Sequence, residues 1–149
     1  MIARMLTVFW GTIGLFISAL FAWASMAKPP QGENLPLIWR IMPSLCNMEP
    51  GSCGSLLTTK QARIFGIPNY IMGIAFYLFA LGIAIFTPMD PGTLYWVLVL
   101  VTTGAVFTGA FLIYSLIFTL QTNCPLCYMG HVVNFLLLAT LILNGIIQD

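Results

Sequence analysis

Four cysteines in a chain of 149 residues arrive as two pairs, "CNMEPGSC" (Cys46 and Cys53) and "CPLC" (Cys124 and Cys127). Paired thiols serve three chemistries: structural cross-linking, metal clamping and reversible thiol–disulfide exchange. The first pair would close a loop of only eight residues, too short to restrain the unfolded chain much, so as a staple it contributes little. A short exposed disulfide is better suited to exchange. The second pair opens a long apolar run: Thr122 or Asn123 is a good helix cap, and Pro125 fits the first turn, where a missing N–H costs nothing. A helix N-terminus and the Cys-x-x-Cys arrangement both favour thiolate, so one of these thiols is expected to react near neutral pH. Cys127 lies one turn, about 4.5 Å, farther along the helix than Cys124.

The elements that must position these thiols follow from composition. The chain is 60% hydrophobic and only 6% charged, the balance of an integral membrane protein rather than a soluble domain. The charged residues Arg4, Lys28, Glu33, Arg40, Glu49, Lys60, Arg63, Asp90 and Asp149 interrupt none of four long apolar runs, at about 5–27, 67–87, 93–120 and 125–147. Each is long enough for a ~30 Å hydrocarbon core. Lipid offers no partners to backbone polar groups, and barrel-type alternation is absent, so the spans are read as helices. The expected fold class is an all-α membrane protein, a four-transmembrane-helix bundle in a single domain over 1–149, with a long first loop carrying a short helix. A net charge of +1 leaves no basic surface for nucleic acid. A second reading of the first run is a cleaved leader, because Arg4 precedes it and Ser25-Met26-Ala27 resembles a small-residue cleavage site.

The redox loop, 28–66, is the long hydrophilic segment. Pro50-Gly51 suits the centre of a type II turn that would fold Cys46 and Cys53 toward each other. A short helical piece is expected at Ser55 to Phe65, and Gly66-Ile67-Pro68 leads into the second span. The connections "TPMDPG" and "LQTN" are short, which makes their flanking spans antiparallel neighbours. Counting crossings then puts the first loop and the start of span four on one membrane face, with all four cysteines. For the side this face occupies, two arguments conflict. Lys28, Arg40, Lys60 and Arg63 in the loop, against Arg4 opposite, favour the cytoplasm; paired loop cysteines persist as disulfides in extracytoplasmic compartments. The second argument is preferred.

Electrons entering at the loop pair would leave through the helix pair, with Cys124 meeting the aqueous loop and Cys127 facing what dissolves in lipid. The sequence has no haem-attachment or nucleotide-binding motif, so the economical acceptor is a lipid-soluble quinone. Competing readings are a loop staple for Cys46 and Cys53, a four-thiolate zinc site, and a cysteine-based heavy-metal carrier. The carrier would want ionisable groups within the spans, where the chain has no Asp, Glu, Lys or Arg. His131, four residues after Cys127, shares its helical face and suits a hydrogen-bond donor or proton carrier for a reduced quinone, or an interfacial histidine with a backbone or water partner. Asn69 begins span two, where an amide near hydrocarbon needs a partner: a ligand carbonyl or a neighbouring backbone group. Ala105 and Gly109 in span three, with Gly73 and Gly82 in span two, permit close helix approach. The 8 Met and 11 Phe are read as packing and lipid contact.

A cysteine pair in the first loop, "IFGIPNYIMGIAFY" running into span two and a Cys-x-x-Cys opening span four together resemble the vitamin K epoxide reductase family, specifically its bacterial or archaeal disulfide-forming homologues. The resemblance covers nearly the whole chain. It implies a four-helix bundle around a quinone, ubiquinone, menaquinone or a related one, and a thiol:quinone oxidoreductase in the inner membrane. Cys46 would exchange with a separate thioredoxin-like (DsbA-like) protein, Cys53 would carry electrons to Cys124, and Cys127 would react with the quinone. Asn69 matches the family's quinone-binding asparagine, and Thr59 stands where the family usually has a serine. The animal enzymes place a ligand-binding tyrosine where this chain has His131, a departure that bears on whether vitamin K epoxide is a substrate.

Overall fold

Apolar runs this long, free of charge, have only the helix to satisfy their backbone in hydrocarbon. The computed structural model describes residues 2–26, 63–64, 66–87, 90–121 and 124–148, and among them four helices dominate. They are α1 (Ile2–Met26), α2 (Asn69–Phe86), α3 (Thr93–Tyr114) and α4 (Pro125–Gln148). All four are long and apolar enough to cross a membrane, over Ile2–Trp23, Asn69–Phe86, Thr93–Thr119 and Pro125–Ile147. The shortest, with 18 residues, reaches about 27 Å at 1.5 Å per residue. The four-helix membrane architecture expected from the sequence is thus observed, with span limits within a few residues of those read from it.

The bundle is ordered α2–α1–α4–α3. Helix α1 packs most extensively on α2 and next on α4, α3 packs on α4, and α2 and α3 meet only sparsely. The α1–α2 seam is antiparallel and built on small residues. A β-carbon at Gly11 would come within 3.0 Å of Leu81, one at Gly14 would overlap the Tyr77 ring, and one at Gly73 would stand 2.7 Å from Ser18 Oγ. Small residues let two backbones approach where no hydrophobic effect drives helices together. The largest buried cluster, Ala80, Ile83, Ala84, Tyr95, Leu98, Leu137 and Leu141, lies at the end of the bundle away from Cys124. There the Tyr95 hydroxyl donates to the Leu141 carbonyl and the Arg4 guanidinium to the Ile85 carbonyl. The shared core of α2 and α3 is confined to that end.

Two local features depart from the sequence reading. Arg63–Ile64, near the end of the expected Ser55–Phe65 helix, are instead an extended strand, β1, paired antiparallel with β2 (Ile67–Pro68) in the register Arg63↔Pro68 and Ile64↔Ile67. Gly66, at φ +82°, supplies the left-handed residue such a tight reversal needs. The rest of that segment and of the long first loop lies outside the described residues. The second departure is at the end of span three. Ser115–Leu120 is a π-helical turn, closed by the Gln121 N–H donating to the Leu116 carbonyl, with Gln121 itself left-handed at φ 48°. Such wide turns are rare and gather at functional sites.

Candidate functional site

The π turn of span three faces the head of α4. Cys124 directly precedes the first helical residue, Pro125, and its carbonyl accepts from the N–H groups of Cys127 (3.0 Å) and Tyr128 (3.2 Å). Cys124, not Thr122 or Asn123, therefore occupies the N-cap position. Its side chain is fully buried, against Leu116 of the π turn, with Phe21 of α1, Leu126 and Cys127 packed around it. Pro125 at the first helical position costs no hydrogen bond and presets the helical φ. The two sulfurs of the Cys-x-x-Cys are thus held where the positive end of the helix dipole favours thiolate.

The two cysteines differ in state. Cys124 is disulfide-bonded, and its partner lies outside the described residues. Cys127 is half-buried and in the thiol form. Its Sγ donates toward Cys124 Sγ at 2.7 Å. A thiol in contact with one sulfur of a disulfide is placed to attack that sulfur, which would transfer the cross-link to the Cys124–Cys127 pair and release the other sulfur as a thiolate.

Below this pair, α4 carries a polar face. Cys127, His131 and Asn134 are spaced i, i+4 and i+7, the neighbours of one helical stripe. The His131 ring lies against Gly109 of α3, and its Nδ1 is buried without a hydrogen-bond partner. Asn134 accepts a 2.6 Å hydrogen bond from the Tyr77 hydroxyl of α2, and Tyr77 is itself buried on Gly14. The sequence reading did not single out Tyr77 and Asn134. The signal was present, because an amide in the middle of a membrane span must find a polar partner.

Of the residues singled out from the sequence, the structure brings together Cys124 and Cys127, with His131 one turn deeper on the same face. Asn69 is the first residue of α2, half-buried, at the same end of the bundle as Cys124. No hydrogen bond joins it to Cys127 or His131 among the described residues. Cys46, Cys53 and Thr59 lie outside the described residues. The donor set at the head of α4 fits a quinone: a half-buried thiol beside a disulfide, an imidazole with an unpartnered nitrogen, and apolar walls from Leu116, Phe21 and Leu126.

No curated protein matches the chain. Residues 5–142, nearly its full length, match the vitamin K epoxide reductase family. With four membrane-length helices and a part-buried disulfide–thiol pair at the head of the fourth, this multi-pass membrane protein belongs to the vitamin K epoxide reductase family of quinone- and disulfide-coupled oxidoreductases.

Proposed function

We propose that the protein is a thiol:quinone oxidoreductase that reoxidises a separate thioredoxin-like protein and supports disulfide bond formation outside the cytoplasm. The observation that carries this reading is the contact of a Cys127 thiol with the sulfur of a disulfide-bonded Cys124 at the N-terminus of a membrane helix.

In this scheme a thiolate of the partner attacks a Cys46–Cys53 disulfide at Cys46, and the partner leaves oxidised, its two electrons now held as two loop thiols. The Cys53 thiolate attacks Cys124 of the α4 disulfide, the Cys124–Cys127 bond breaks, and Cys127 leaves as thiolate, stabilised by the helix end. The contact of the Cys127 sulfur with that of a disulfide-bonded Cys124 supports such a stage. Cys46 then resolves Cys53, which leaves both α4 thiols reduced. A quinone, when bound, would supply the sink for the two electrons and two protons released as Cys124 and Cys127 re-form their disulfide. Asn69, Thr59 and His131 are the residues that would hold its oxygens, and burial around Leu116 and Phe21 keeps water from the exchanging sulfurs. The direction of net flow is set by reduction potentials, where 30 mV corresponds to about 1.4 kcal/mol for a two-electron couple.

The test is quinone reduction by the purified chain in detergent with a reduced thioredoxin-like donor. Wild type is expected to turn over, and Cys127→Ser to lose activity while still trapping a mixed disulfide at Cys124. A Cys127→Ser variant with wild-type quinone reduction would sink this assignment.

A further inference from the structure

His131 is the single histidine of the chain, and the helix opposite it is shaped to its ring. A β-carbon on Gly109 would stand 2.6 Å from His131 Nδ1, 3.1 Å from Cγ and 3.3 Å from Cε1. The Nδ1 edge of the imidazole therefore fills the space where any other residue of α3 would carry its side chain. Gly109 is buried, so the notch is closed to solvent. Nδ1 has no hydrogen-bond partner there.

That surrounding decides where the proton sits. An N–H buried against carbon forfeits a hydrogen bond at a cost of about 1–3 kcal/mol. A buried lone pair left unmatched is the milder and commoner defect. The bare nitrogen is thus Nδ1, and the proton is on Nε2, at the far side of the ring from Gly109. His131 also shares the helical stripe of Cys127.

We propose that Gly109 is a positioning residue, whose vacant β-position seats the His131 imidazole in its Nε2–H tautomer and so presents a fixed donor to a carbonyl oxygen of the bound quinone. The identity of the acceptor rests on the function proposed above; the tautomer does not. The tautomer of a histidine is set by what its other nitrogen meets, and here it is set by the absence of a side chain on a neighbouring helix.

The experiment is nitrogen NMR of the full chain in detergent with 15N-labelled histidine, where a single residue gives all the signal. Wild type is expected to show a protonated Nε2 and an unprotonated Nδ1. Addition of a short-chain ubiquinone should shift the Nε2 resonance. Gly109→Ala is expected to disturb the tautomer, abolish the quinone-induced shift and raise KM for the quinone about tenfold, the scale of one lost hydrogen bond, with a smaller change in kcat. Gly104→Ala, on the same helix with no atom within 4 Å of the added carbon, should behave as wild type. A protonated Nδ1 in wild type overturns the proposal without any variant being made. So does a Gly109→Ala protein that keeps the wild-type tautomer and quinone response. A chain that reduces quinone with no shift at Nε2 overturns the donor role, whereas a chain that neither reduces quinone nor responds to it overturns the functional reading beneath it.

Discussion

An amide and a phenol meet inside the bundle where neither has water to fall back on. Tyr77 donates to Asn134 across the α2–α4 interface, and removing the hydroxyl leaves the Asn134 carbonyl short of a donor. Hydrogen bonds between membrane helices are worth about 0.6–1.7 kcal/mol, so Tyr77→Phe is expected to lower stability by that amount. Leaving the Asn134 amide without its donor should make Tyr77→Phe costlier than the same change in an Asn134→Leu background. A double-mutant cycle on unfolding in mixed detergent micelles reads this coupling directly. Values for the two changes that simply add would show the pair to be independent. Cys127 is the other residue with a sharp expectation, since its thiol is the one in contact with the Cys124 sulfur and serine cannot exchange with a disulfide.

Helix seams set the next scale. Gly14→Ala would drive a methyl group into the Tyr77 ring at the α1–α2 seam, and overpacking of this kind costs about 1–3 kcal/mol. Gly130→Ala places its methyl 3.9 Å from Ile17, an ordinary contact, and gains up to about 1 kcal/mol of helix propensity. Thermal unfolding in detergent should therefore move in opposite directions for the two. Equal shifts would refute the seam as described. The four helices were legible in the sequence because hydrocarbon leaves a long uncharged run no alternative. The ribbon at Arg63–Pro68 was not, because two residues per strand carry no period. Neither was the π turn: "SLIFTL" contains no Pro or Gly to announce it. His131 and Gly109 were each visible as types, one as a ligand donor and one as a packing residue. Their meeting depends on the register of α3 on α4, which no local pattern encodes. Asn134 could have been found by asking every intramembrane amide for its partner.

At the scale of the whole molecule, the two ends of the bundle differ in kind. Cys124, Cys127 and the head of α2 gather at one end, and the largest packed core lies at the other. With the cysteine face outside the cytoplasm, as proposed, Asp90 in the turn between α2 and α3 faces the cytoplasm. A single-cysteine reporter, Asp90→Cys with Cys46, Cys53, Cys124 and Cys127 changed to Ser, should then resist a membrane-impermeant maleimide added to intact cells and react after the membrane is broken. Labelling in intact cells would reverse the orientation and give the charge argument of Lys28, Arg40, Lys60 and Arg63 its due.

The sparse meeting of α2 and α3 carries a consequence for supply. Among the described residues the two helices share their core far from the thiols, and on the proposed function the flank of the bundle between them, at the level of His131, would open onto acyl chains. On the proposed function, an acceptor dissolved in the bilayer arrives sideways by two-dimensional diffusion and never crosses an aqueous boundary. Its effective concentration is then its mole fraction among the lipids rather than its solubility in water, and saturation should scale with the quinone-to-lipid ratio of the vesicles, unaltered by diluting them in buffer.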